Sequence, residues 1–89
     1  MKFEQGTYVR LKFLVAVESA EDLVLGYVEL RASNTIYRVM SKLGATNRGK
    51  WGLKNIETDS TYLLREFQFE YFAPVSAAEL AKFRMQNEI

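Results

Sequence analysis

"TYVRLKFLVAV", residues 7–17, carries the pattern on which the fold turns. Read at every second position, Val9, Leu11, Phe13, Val15 and Val17 fall on one face. Tyr8, Arg10 and Lys12 fall on the other. A period of two belongs to a half-buried strand. The later half, "FLVAV", is apolar at every position, which predicts a strand covered on both faces.

The segments that follow are read against this first strand. In "ESAED", residues 18–22, Ser19 and Asp22 have the spacing of a capping box and allow a helix over about 20–32. The next run, "DLVLGYVEL", holds two valines and an internal glycine, which helices disfavour. Leu23, Leu25 and Tyr27 alternate, so a hairpin with a second strand at 23–31 is the favoured alternative. "RASN" is turn chemistry, and "TIYRVMSKL" after it reads as a strand. "GATNRG", with glycine at both ends, is a loop, and "KWGLKNIE" is the strand that returns from it. "TDS" is a tight turn. "TYLLREFQFEYF" predicts a strand with Leu63, Phe67, Phe69 and Tyr71 on one face; Arg65 interrupts that face and allows a short helical turn near "LLRE".

Pro74 ends the strands. Ser76 and Glu79 form a second capping box, and Ala77, Leu80, Ala81 and Phe83 follow at helical spacing. The spacing predicts a helix over about 76–88 that plugs one end of a barrel. The expected architecture is mainly β: a single domain over 1–89, with a small five-stranded barrel over about 1–73 and a C-terminal α-helix.

Composition narrows the chemistry. The chain has 89 residues, 48% hydrophobic and 26% charged, which is globular rather than disordered. It contains neither cysteine nor histidine. A disulfide framework, a thiol nucleophile and the commonest general base and metal ligand are therefore absent. No spacing argues for Ser–Lys or paired-carboxylate catalysis, and the expectation is a protein that is not an enzyme, with no cofactor and no metal. The opening "MKFEQGTYVR" turns polar too soon for a secretory leader, and no apolar run approaches membrane-spanning length. The expected location is the cytoplasm.

Net charge is only +1, but it is unevenly distributed. Residues 1–30 carry a net −2, residues 31–54 a net +6 and residues 55–89 a net −3. The middle segment holds Arg31, Arg38, Lys42, Arg48, Lys50 and Lys54, with no acidic residue.

Three segments resemble a known pattern. "MKFEQGTYVRLK" resembles the F-x-x-G-x-x-V-R-L opening of bacterial and phage-encoded SH3-like barrel proteins, in which a glycine turn lifts the chain into the first strand. "TIYRVMSKLGATNRGKWGLKN" resembles their middle hairpin. "LLREFQFEYFAPVS" resembles their last piece, where a short turn precedes a strand ending near F-x-P-V. Residues 13–34 depart from the pattern by their length. The resemblance implies a binding module of the kind that meets nucleic acid, ribosomal proteins or polymerase subunits, or that serves as a phage accessory protein. Fold likeness alone does not choose between them.

"NRGKWGLKN", residues 47–55, is where a choice is made. As a nucleic-acid surface, Arg38, Lys42, Arg48, Lys50 and Lys54 neutralise phosphates, and Trp51 or Tyr37 offers a face for a base. Charge reversal at Lys50 and Lys54 is then expected to weaken binding without unfolding the chain. As structure, Trp51 and Leu53 alternate with Lys50, Gly52 and Lys54, so Trp51 is a core residue and the lysines blunt an exposed strand. The acidic flanks are also placed to fold over the patch and pair with it.

Nucleic-acid binding through residues 31–54 is the first functional expectation. The alternative is a protein-interaction module, such as a phage-encoded inhibitor or modulator docking on an acidic surface of a host enzyme, with Tyr8, Tyr62 and Phe72 as exposed anchors. The third is a homodimer formed through an edge strand or the last helix.

Overall fold

A computed structural model describes residues 3–19, 26–42 and 50–87. The chain forms one antiparallel sheet of seven strands among the described residues. They are β1 (Tyr8–Leu11), β2 (Val15–Ser19), β3 (Tyr27–Leu30), β4 (Tyr37–Lys42), β5 (Trp51–Asn55), β6 (Thr61–Leu64) and β7 (Phe72–Pro74). A 3₁₀ helix, Glu66–Tyr71, separates β6 from β7, and helix α1 spans Ala77–Asn87. The order across the sheet is β3-β2-β6-β5-β4-β1-β7. The mainly β expectation and the final helix are met. The expected five strands are corrected to seven, and the sheet is open, because β3 and β7 are its two edges among the described residues.

The opening stretch is two strands, not one. β1 pairs with β4 and β7, whereas β2 pairs with β3 and β6. The chain must therefore change neighbours between Leu11 and Val15, and it does so through a bend at Lys12–Leu14. The Lys12 N–H donates to the Tyr71 carbonyl at 2.8 Å and anchors that bend. Val9, Leu11, Val15 and Val17 all face the core as the alternation predicts. Phe13 does not: the bend takes it out of register, and it is 61% exposed. Leu14 and Ala16 are exposed as well, so "FLVAV" is not covered on both faces.

Before β1, Gly6 adopts φ +90°, a conformation that side-chain-bearing residues rarely accept. Its N–H donates to the Val39 carbonyl at 2.7 Å, and the Val39 N–H donates to Thr7 at 2.8 Å. This turn starts β1 alongside β4. β3 pairs with β2 in a hairpin, with Val15 opposite Leu30 and Val17 opposite Val28. The strand alternative therefore holds over Tyr27–Leu30, and the helix alternative fails there. Residues 20–25, including Leu23 and Asp22 of the first capping box, lie outside the described residues, as does the "GATNRG" loop.

The second correction falls on "TYLLREFQFEYF". Only Thr61–Leu64 is strand. Arg65, in extended conformation, caps the 3₁₀ helix: its N–H donates to the Gln68 side chain at 2.9 Å, and the Gln68 N–H donates to the Arg65 carbonyl at 3.0 Å. The Gln68 amide also donates to the Ala16 carbonyl at 2.9 Å, tying this turn to β2. A 3₁₀ helix stacks residues three apart. Phe69 and Phe72 therefore both point inward, while Phe67 is 62% exposed and Tyr71 is also exposed.

The core is one apolar cluster on the inward face of the sheet. Its centre is aromatic, with Phe69 edge-on to Phe3 at 6.2 Å and to Trp51 at 6.5 Å, and 6.0 Å from Phe72. Helix α1 starts as its capping box predicts: the Glu79 N–H donates to Ser76 Oγ at 3.1 Å, and the Leu80 N–H donates to the Ser76 carbonyl at 2.9 Å. It does not plug a barrel end. Leu80 and Phe83 are half-buried, and the helix lies against the outward side chains of β1, through Arg10–Glu79 at 3.1 Å and Arg84–Tyr8 at 3.4 Å.

Candidate functional site

Strand register assembles the site. Tyr8 on β1 stands opposite Arg38 on β4, Arg38 opposite Lys54 on β5, and Lys54 opposite Thr61 on β6. The intervening residues Val9, Val39 and Leu53 are buried, so this row faces outward. Directly opposed side chains sit about 5 Å apart at Cβ. Arg38 and Lys54 are therefore neighbours by strand pairing, as the expected hairpin requires.

Helix α1 adds the other wall. The Arg84 guanidinium lies 5.8 Å from the Tyr8 ring centroid and that of Arg38 lies 5.9 Å from it. Arg84 also donates to the Tyr8 hydroxyl at 3.4 Å. The ring thus holds two guanidiniums by its π face, a geometry worth about 0.5–1 kcal/mol per contact at exposed sites. Among the described residues, no carboxylate pairs with Arg38 or Arg84. Together with Lys54 they line a cleft of about 500 Å³, with Ile56 and Phe83 as apolar wall and with Glu57 and Asp59 also in its lining.

Two other expected cations are placed differently. Lys50 donates to the Glu18 carboxylate on β2 and lies beside Tyr27, Arg65 and Phe67 in a separate groove. Lys54 pairs with Asp59 at 3.1 Å while remaining in the cleft. The acidic flanks do fold over the basic segment at these two points, and the described cations do not form one continuous patch. Lys42 lies in β4 opposite Trp51, beyond a register shift that follows Val39. Arg48 lies outside the described residues.

The aromatic expectations divide. Trp51 is half-buried against the core cluster, and its indole N–H is buried with no acceptor among the described residues. Tyr37 is buried against Tyr62 and Phe72 and has no free face, and burial pushes its hydroxyl pKa up. Phe72 is fully buried and Tyr62 packs on the core, so neither is an exposed anchor. Of the three expected anchors, Tyr8 is the one that reaches the cleft. Arg84 and Asp59 were not singled out by sequence reasoning, because no local pattern links them to residues 31–54.

The Glu18–Lys50 pair has a consequence for stability. The hydrogen bond from Lys50 holds the Glu18 carboxyl below its ordinary pKa against the opposing effect of burial; the Lys50 charge, Tyr27 and Arg65 help. A depressed carboxylate pKa adds stability above the unfolded value, lost as pH falls through the folded one. Urea midpoints are expected to fall as pH drops below about 5, through and beneath the ordinary carboxylate range, and Glu18→Gln is expected to lose that component of the fall. An identical pH dependence in the variant would show that the pair contributes nothing.

Compared with family models, with curated proteins and with solved structures, the chain matches none. Among the described residues no helix is long and apolar enough to cross a membrane, and no three acidic side chains are grouped to hold a metal ion.

Proposed function

We propose that this chain is a non-enzymatic binding module that holds single-stranded nucleic acid in the cleft between α1 and the outer face of β1, β4 and β5. One observation carries the reading: Arg38 and Arg84 flank Tyr8 at the cleft, and neither is neutralised by a carboxylate among the described residues. Guanidiniums of this kind bind phosphate, and the aromatic between them holds them in place. Lys54 adds charge at the same row. Trp51 supports the strand from the core side, and Lys50 belongs to the Glu18 pair.

The finer fold reading is an SH3-like barrel of the bacterial or phage-encoded type, acting in the cytoplasm. It is supported by the Gly6 turn into β1 and by the 3₁₀ helix just before β7, whose end reads "FAPV". A protein-docking module is the second reading. It rests on Tyr27 and Phe67, both exposed, which line the groove beside Glu18 and Lys50.

Fluorescence anisotropy with labelled single- and double-stranded RNA and DNA tests the first reading. Binding is expected to favour single strands and to weaken with salt. Two phosphate contacts give a log–log slope of about −1.4. No binding even at low salt would overturn it. Recovery of one specific partner from nuclease-treated lysate would then favour docking.

A further inference from the structure

The cleft is not uniformly cationic, and the acidic Asp59 in its lining is held there by a built turn. Asp59 sits at φ 62°, the left-handed region that aspartate tolerates better than most residues. The turn before it is fixed by Asn55: the Asn55 side-chain oxygen accepts the Glu57 N–H at 2.9 Å and the Thr58 N–H at 3.3 Å. The Asp59 N–H donates to the Asn55 carbonyl at 2.9 Å, and the Asn55 N–H donates to Ser60 at 2.9 Å. The carboxylate is thereby held toward Lys54, which occupies one of its oxygens at 3.1 Å. Its side chain remains 77% exposed. A carboxylate offers about four acceptor positions, so most of its accepting capacity faces the cleft and solvent.

A ligand in this cleft meets two demands. Its anionic groups must lie toward Arg38 and Arg84, because Glu57 and Asp59, which also line the cleft, repel them. Toward Asp59 it must present a hydrogen-bond donor. Lys54, which holds Asp59, sits one strand from Arg38, so the two demands fall on neighbouring positions of the sheet, whose strands lie roughly 5 Å apart. A ribonucleotide carries both features at that scale: a phosphate and, on the same sugar, the 2′-hydroxyl donor. Deoxyribose lacks the donor.

We propose that the cleft selects RNA over DNA, with Arg38 and Arg84 holding phosphate while Asp59, steadied by Lys54 and the Asn55 turn, accepts a hydrogen bond from a ribose 2′-hydroxyl. This rests on the nucleic-acid reading of the same cleft. Exocyclic base amines would satisfy the carboxylate too, so the probe is oligouridylate, whose base has none.

The test titrates the full chain with oligouridylate, oligodeoxyuridylate and 2′-O-methyl oligouridylate of equal length. RNA is expected to bind about three- to tenfold more tightly than either analogue, the worth of one net hydrogen bond. Asp59→Gly, which accepts the positive φ, is expected to bring the three affinities together. Equal binding of RNA and DNA by the unaltered chain would overturn the inference while leaving nucleic-acid binding in place. An RNA preference that survives in Asp59→Gly would overturn the role of Asp59. Failure of all three probes to bind would remove the underlying reading, and the inference with it.

Discussion

Phe69→Ala is expected to cost about 3–5 kcal/mol of unfolding free energy, the range for deleting a buried phenyl ring. Phe69 is fully buried and touches the rings of Phe3, Trp51 and Phe72, so it joins the N-terminal turn, β5 and β7 across the core. The ring enters from a two-turn 3₁₀ element fixed at both ends, which leaves the site little freedom to collapse around a cavity. Domains of this size hold only about 5–15 kcal/mol in total, so the variant is expected to be partly unfolded at room temperature. Phe67→Ala, two residues away, is expected to change stability by less than about 0.5 kcal/mol, because Phe67 is exposed. Urea titrations followed by circular dichroism and by Trp51 fluorescence measure both. The contrast is the test: a strand over 61–72 would place both rings on one face and give comparable losses. Comparable losses would therefore refute the 3₁₀ assignment.

That contrast also marks where the fold was legible in the residues and where it was not. Alternation placed strand over 7–17, where β1 and most of β2 lie, and over β5 and β6, because each buries one face and the period of two is local; β4 was announced by its β-forming residues. Alternation failed at Phe13 and Phe67. At Phe13 the chain leaves one set of strand neighbours for another, β4 and β7 for β3 and β6, and most of those partners are far along the chain. At Phe67 a six-residue 3₁₀ element satisfies its caps through Gln68, and a phenylalanine at every second position mimics a strand that is not there. The turn at Gly6 and the capping box at Ser76 were readable because a special backbone angle or a short spacing encodes them. The site was half legible. Arg38 and Lys54 come together by hairpin pairing, which pattern reading anticipates. Arg84 reaches Tyr8 across 76 positions, and Glu18 captures Lys50 across 32. No local pattern announces either contact.

Those long-range contacts change which basic residues carry the binding. Arg38→Gln and Arg84→Gln are each expected to weaken single-stranded nucleic-acid binding about tenfold at low salt, the lower end for hydrogen bonds to charged groups. Each removes one cation that no carboxylate neutralises among the described residues, so each should also reduce the salt slope by about 0.7. The double variant is expected to lose less than the product of the two, since both guanidiniums share the Tyr8 ring and their effects are coupled. Folding should be retained, because Arg38 and Arg84 are both exposed. Lys50→Gln is the informative contrast. Its ammonium already serves Glu18, so binding should change little while stability falls, leaving the Glu18 carboxylate without its partner. The bare charge count of residues 31–54 forecasts the reverse, with Lys50 equal to Arg38 and Arg84 irrelevant. Anisotropy titrations of the four variants separate the two. If Lys50→Gln lost as much affinity as Arg38→Gln while Arg84→Gln lost none, the binding surface would be the basic hairpin itself, and helix α1 would have no part in it.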